Sequence, residues 1–481
     1  MPPCWNLHWY GRVALTGLAA ASFGACAATP AAQRVAGAVT VPERWQATST
    51  KEILDTAALA KWWERFHDPA LNELISAALA GSPDVRAAVS KIAESRARRG
   101  VERASLFPWL TGGGSAQTTR QENRTGTNSQ TGTSSTTRTQ TYSGSLDASW
   151  QVDLFGKQWL NVKAATSEIA QATENLYAAQ VSLAAEVADA YLTLRAAEEQ
   201  LSVVERSVNT RSETLKITQW REQAGQGNAL DTVQTLSTLE NARAAIPSLQ
   251  ETIGQTRNRL ALLVGRTPGG VTEIVAKTRP IPTAIAFAKV GVPAETLRQR
   301  PDVRAAEQAV YAGVARTKSA QRERLPSLNI SGTLSTESLS SGRIFNPQSL
   351  AASLLGSLVI PIFKGGEITA NIQIRTEQER QALLAYEKTV LSALSEVEDA
   401  LISVQRQIER LQILDRAVDA ARQAQKLSQQ RYNAGEVDIL SVLETERTLL
   451  SAEVELVNTR VNRSSAQVQL YKALGGGWSL R

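Results

Sequence analysis

The chain states one architectural unit twice, and this duplication constrains its fold more than any local motif. Pro83-Asp84-Val85-Arg86-Ala87-Ala88 returns as Pro301-Asp302-Val303-Arg304-Ala305-Ala306, 218 positions later, and the same offset carries Pro108 onto Pro326. Further on, Glu186-Val187-x-Asp189-Ala190 returns as Glu396-Val397-x-Asp399-Ala400, and Gln223-Ala224-Gly225 as Asn433-Ala434-Gly435, now at an offset of 210. The first copy holds a longer insertion between its halves. The expected organisation is a signal segment over 1–25, an N-terminal segment over 26–82, a first repeat over 83–265, a linker over 266–297, a second repeat over 298–474 and a tail over 475–481.

Long stretches without proline dominate both copies. Between Gly156 and Trp220 there is neither proline nor glycine, and apolar residues fall at Ile169, Ala172, Leu176, Ala179, Leu183, Val187, Ala190, Leu194, Ala197, Leu201, Val204 and Val208. Steps of three and four in alternation make a coiled-coil seam, with one stutter at Ala179-Leu183-Val187. A helix of this extent is roughly 100 Å long, too long for any globular core, so its seam needs neighbouring helices. The second copy repeats the pattern from Glu367 to Tyr432. Each helix ends at a short polar turn, at Ala224-Gly225-Gln226-Gly227-Asn228 and Ala434-Gly435-Glu436, where glycine suits a helix C-terminus. Returning helices are expected over Asp231–Leu263 and Ile439–Leu474, with Pro247 kinking or breaking the first.

A second pattern precedes each long helix. Leu146, Ala148, Trp150, Val152 and Leu154 alternate with polar residues, as do Leu328, Ile330, Gly332 and Leu334, and a third row runs Leu350, Ala352, Leu354, Gly356, Leu358, Ile360. Period-two rows of about ten residues, following an export signal, read as outward-facing strands of a membrane barrel. A weaker fourth strand is expected over Pro108–Gln117. Thr118–Thr141 is almost wholly Thr, Ser, Gly, Gln, Asn and Arg and is expected as a solvated extracellular loop, with Ser338–Asn346 its shorter counterpart. Four strands cannot close around a lumen, and open sheet edges cannot face lipid, so copies must join under cyclic symmetry. Two chains would supply eight strands and three would supply twelve.

The N-terminus reads as an address. Arg12 precedes the apolar run Val13–Ala25, the length of a secretory core and too short to span a bilayer as a helix. Phe23-Gly24-Ala25-Cys26 is similar to a bacterial lipobox, which would make Cys26 the lipidated first residue of the mature chain; Ala25-Cys26-Ala27 also fits an ordinary signal-peptidase site. Two Cys, two His and one Met leave almost nothing for soft-metal, thiol or imidazole chemistry, and no cofactor is implied. The net charge of +6 is spread over mixed-sign helices with no basic block, which argues against nucleic acid as a partner.

Several strings together carry a family resemblance: Trp63-x-x-Phe66-x-Asp68-Pro69-x-Leu71, Asp153-Leu154-Phe155-Gly156, Arg300-Pro301-Asp302-Val303-Arg304-Ala305-Ala306-Glu307, Pro361-Ile362-Phe363-Lys364-Gly365-Gly366 and Ala473-Leu474-Gly475-Gly476-Gly477-Trp478. In this order, from Trp62 to Trp478, the chain resembles the outer membrane factors of tripartite efflux systems, in their lipoprotein branch with the TolC-like fold. The resemblance implies a mainly α chain with transmembrane β: a homotrimer with a twelve-stranded outer-membrane barrel, four strands per chain, continued by a periplasmic α-helical barrel and girdled by an equatorial belt formed partly by terminal segments. It implies a passive, non-enzymatic exit duct for small molecules, supplied by an inner-membrane transporter of the resistance-nodulation-division type through a periplasmic adaptor. A type I secretion duct for polypeptides would use the same fold. A trimeric coiled-coil adhesin would also explain export and long helices, but its barrel should sit at one terminus.

Site residues follow from the same resemblance. Gly225, Gly227 and Gly435 at the tips are the expected adaptor contacts, with plain helix capping as the alternative. In TolC-like proteins a tyrosine before the second tip bonds to an aspartate just after the first, and Tyr432 and Asp231 hold those positions. The arginine that often reinforces the contact is replaced by Val437. Of two aspartates that ring the entrance in one branch, the matching positions are Ser441 and Glu444, so Glu444 is the expected carboxylate of the ring. The alternative is that Asp231 caps its helix and Glu444 is a solvated surface group.

Overall fold

The computed structural model describes residues 40–46, 59–125, 133–284, 293–344 and 346–478. The signal segment and Cys26 lie outside them. After a 3-10 turn at Trp62–Phe66 come α1 (Pro69–Gly81) and α2 (Pro83–Ala104), strands β1 (Trp109–Thr125) and β2 (Thr133–Val152), and the helices α3 (Lys157–Gln223) and α4 (Ala229–Val264). A short α5 (Thr272–Val275) and α6 (Pro293–Gln299) lead into the second copy: α7 (Pro301–Arg322), β3 (Ser327–Ser338), β4 (Leu350–Val359), α8 (Glu367–Asn433) and α9 (Ile439–Ala473). Pro83 and Pro301 each stand first in their helices, where a missing N–H leaves no bond unmade. The two long helices have the same length, 67 residues each.

The helices pair as two hairpins, α3 with α4 and α8 with α9, and α9 also packs against α3. Pro247 does not break α4, which runs through it as one helix. The proline is exposed, so the carbonyl it frees can take water instead of an N–H.

The strands form one antiparallel sheet in the order β1-β2-β3-β4, and the outer edges of β1 and β4 pair with no further strand among the described residues. Its register lines up the apolar rows: Leu110 faces Ala148, Ala148 faces Gly332, and Gly332 faces Leu354. One residue along, Thr111, Asp147, Thr333 and Ser353 share the opposite face. There Thr333 Oγ1 and Ser145 Oγ donate to the two oxygens of Asp147 at 2.9 and 2.8 Å. One face is therefore built for lipid and the other for water. No described helix is long and apolar enough to cross a membrane.

The loop expected over Thr118–Thr141 is mostly strand. β1 and β2 continue in register to Thr125↔Thr133, whereas β3 leaves β2 at Tyr142↔Ser338, so a two-stranded ribbon projects beyond the four-stranded sheet. Threonine is β-branched, and a ladder in water needs backbone bonds rather than an apolar face. Residues 126–132 lie outside the described residues.

Halfway along the helices lies the densest core. Trp62, Leu71, Leu74, Ile75, Leu194, Leu260 and Tyr471 are fully or almost fully buried in one cluster. Trp62 stacks on Tyr471 at 5.1 Å and Tyr177 on Trp478 at 4.7 Å. Asp68 caps α1 through the Ala70 amide at 2.8 Å and accepts from the Tyr191 hydroxyl at 2.6 Å, while Gly477 N donates to Leu59 O. Arg300, buried, donates to Ala473 O and pairs with Asp302 and Glu396. Both ends of the described chain are thus knotted into the helices at this level.

Candidate functional site

The hairpin tips lie at the end of the helices away from the sheet, and backbone geometry explains their glycines. Gly225 and Gly435 sit at φ 69° and 80°, where an L side chain is strained. At each, the helix ends in the same pair of bonds: Gly225 N to Glu222 O with Gln226 N to Arg221 O, and Gly435 N to Tyr432 O with Glu436 N to Arg431 O. A Cβ at either would meet nothing within 4 Å. Gly227 differs: it has no positive φ, and a Cβ there would come within 3.1 Å of Glu222 N. Two of the three glycines therefore shape the turn, and the third allows the first tip to close on its own helix.

Tyr432 is the centre of the second tip. It is buried with Ile439, Val442 and Leu443, and Ile217 and Val437 pack around this cluster. Its direct partner is Arg221 of the first tip rather than Asp231. The Arg221 guanidinium lies 4.2 Å from the centre of the Tyr432 ring, and its Nη2 donates to Tyr432 O at 2.7 Å and Asn433 O at 3.1 Å. A cation over an aromatic face and against the last carbonyls of a helix is favoured twice. Val437 thus joins the apolar cluster while the guanidinium comes from the other hairpin. Burial pushes the Tyr432 hydroxyl above its ordinary value; Arg221 offsets this in part, and the nearby Asp231 adds to it. Asp231 stands in the first turn of α4, but the cap is Asn228, whose Oδ1 accepts from Leu230 N at 3.0 Å.

Glu444 is exposed and held by Arg447 in a two-pronged pair at 2.6 and 3.0 Å, which keeps its carboxyl below the usual value. Its neighbour Glu446 is the group the sequence did not flag. Glu446 is buried between α9 and α3, accepts from Thr214 Oγ1 at 2.8 Å, and has a second oxygen without a hydrogen bond. Burial raises its pKa, against the pull of Thr214 and the nearby Arg211. Arg211, also buried, donates to Thr238 O at 2.9 Å and so ties α3 to α4 at the same level. A glutamate two residues from a surface glutamate on one helix faces another way, and only the seam phase of α9 would have revealed that. Trp220, Leu230 and Val233 are exposed apolar residues at the first tip, also unremarked in the sequence because they lie off the seam.

The comparisons with known proteins agree with this layout. The family model described as outer membrane efflux protein matches residues 74–266 and 292–476, one span for each copy. The antibiotic efflux pump outer membrane protein ArpC of Pseudomonas putida is 30% identical over 475 residues, covering 96% of each chain. The pyoverdine export outer membrane protein OpmQ of Pseudomonas aeruginosa is 29% identical over 459 residues, 95% of this chain and 94% of that one. Among solved structures, the outer-membrane channel OprN superposes with a TM-score of 0.79 at 30% identity, over 91% of this chain and 99% of the other.

Proposed function

The chain belongs to the outer membrane efflux protein family, a family of the outer membrane, and from that premise we propose that three copies form one passive exit duct for small molecules. Each copy contributes four strands to a closed barrel of twelve and two hairpins to a helical tunnel beneath it. An inner-membrane transporter of the resistance-nodulation-division type supplies the energy, and a periplasmic adaptor docks at the tips. The observation that carries this reading is the open four-stranded sheet, apolar on one face and polar on the other, continuous with hairpins far too long for a single core. Relatives named for antibiotic efflux and pyoverdine export favour small molecules over polypeptides.

The tips have two roles in this reading. Arg221 and Tyr432, with Asp231 beside them, hold the tunnel entrance shut, and the Glu444 carboxylates, each tempered by Arg447, ring it. Exposed Trp220 and Leu230 flank the glycine turn and, with Gly225, Gly227 and Gly435, form the adaptor's footing. Cys26 carries the lipid that anchors the mature N-terminus. The test is efflux: cells deleted for this chain but expressing its adaptor and pump should retain a fluorescent pump substrate, and restoring the chain should lower retention several-fold. Retention unchanged on restoration defeats the duct, and export of a polypeptide alone would favour the secretion reading.

A further inference from the structure

The lipid-facing side of the strands continues past the point where the four-stranded sheet ends. β1 and β2 keep one register from Trp109↔Ser149 to Thr125↔Thr133, so strict alternation assigns every pair between them to a face. Away from the helices, the row that begins at Leu110↔Ala148 reaches Ala116↔Tyr142 and then Arg120↔Arg138. Apolar residues thus give way to one half-buried tyrosine and then to two guanidinium groups directly opposite each other. A tilted strand crosses the hydrocarbon in about 9–11 residues, so β1 entering at Trp109 leaves it near Thr119, and Arg120 is the next residue. Like charges directly opposite on one face destabilise a ladder. Both arginines are exposed, and neither makes an ion pair among the described residues. Glu122, the next residue up on that face, stands opposite Thr136 and pairs with neither of them.

We propose that Arg120 and Arg138 clamp the phosphate group of a lipid in the outer leaflet. Each guanidinium offers a planar fork that matches phosphate oxygens in pairs, and a phosphate between the two replaces their repulsion with two charge-assisted contacts. Side chains directly opposite on one face start only about 5 Å apart, close enough for both to reach one phosphate. The face decides the source of the anion. At the same level the water-facing pairs are Thr119↔Thr139 and Gln121↔Thr137, which carry no charge. Arginines that steered a dissolved anion through the passage would belong on that side; these stand on the side of Leu110 and Tyr142, above the tyrosine where the headgroups lie. The clamp also gives the ribbon a support. Beyond Tyr142↔Ser338 only two strands remain, and a two-stranded ribbon is marginal in water, so a headgroup held by both strands ties them to each other and to the membrane surface.

This inference rests on the barrel placement proposed above and not on the number of chains. The full chain in neutral detergent is titrated with lipid A, a phosphorylated glycolipid, and in parallel with the same glycolipid stripped of its phosphates, and bound lipid is counted by native mass spectrometry. The wild type should hold the phosphorylated form roughly tenfold tighter or more, and Arg120→Thr with Arg138→Thr should remove that preference. Arg120→Lys with Arg138→Lys keeps the charge without the fork and should restore it only in part. Equal affinity of the wild type for the two lipids, or a double threonine variant that keeps the preference, overturns the clamp. Glu122→Gln leaves both arginines in place and should tighten the hold on lipid A; should the double variant fail to insert, a Glu122→Gln chain that binds no tighter than the wild type overturns the clamp instead. Complete displacement of lipid A by inorganic phosphate would mean a site for a free anion and overturn the lipid assignment. The duct is judged apart from this: restored efflux in the deletion cells leaves it standing whatever lipid A does, and failed efflux with the lipid preference intact strikes the duct alone.

Discussion

Arg221 joins the two tips through its contacts with one turn of α8: the Tyr432 ring and the carbonyls of Tyr432 and Asn433. A cation–π contact contributes about 0.5–2 kcal/mol and a hydrogen bond from a charged group about 1.5–3. Arg221→Ala should therefore loosen the tip more than Tyr432→Phe, which keeps the ring. In planar bilayers both variants should conduct more than the wild type, with the larger increase for Arg221→Ala; equal conductance in all three would place the gate elsewhere. Glu444 and Arg447 bring opposite charges to the proposed entrance as one ion pair. Glu444→Gln should weaken cation preference and Arg447→Gln should strengthen it, read as reversal potentials in a salt gradient. Glu446 makes a prediction in pH. Because burial raises its pKa above 4.5, the folded chain holds this proton where the unfolded chain has released it. Stability then falls as pH climbs from the ordinary carboxylate value through the raised one. Glu446→Gln should flatten the pH dependence of the unfolding midpoint just above the ordinary carboxylate range. A variant with the wild-type slope would mean the carboxylate is not desolvated.

At the scale of elements, the tip turns separate shape from docking. Gly225→Ala and Gly435→Ala add a methyl that meets nothing, so each should cost only the backbone strain of positive φ, about 1–2 kcal/mol. If the adaptor needs the open space at the turn, these variants should fold and insert but lose adaptor binding in a pull-down; retained binding would leave the glycines as caps alone. The helices were legible in advance, because a three-four seam without Pro or Gly admits little else, and both long helices end within a few residues of the expected points. The Thr-rich ribbon was not, since its strands carry no apolar face to announce them. That α4 stays one helix through Pro247 was not legible either, because sequence does not say whether the freed carbonyl faces solvent. The Arg221 contact was hidden for a related reason: its partner lies 211 positions away, and no local pattern marks a contact between tips.

For the whole molecule, the duplication explains why one chain is both regular and incomplete. Two copies give four strands and two hairpins, yet β1 and β4 keep open edges and α8 keeps an apolar stripe in water. Each unmet surface has a counterpart on the same chain that could meet it on a neighbour, which is the condition for a ring. The sequence carried the duplication and the membrane alternation, but the number of chains in the ring came from the family resemblance alone. Electron cryomicroscopy of the protein extracted from its membrane tests the central claim directly. Three chains should enclose one passage, with twelve strands closed by pairing β4 of each chain to β1 of the next and the helices continuing the same axis. A single chain with its sheet edges folded back on themselves, or a ring of two, would contradict it.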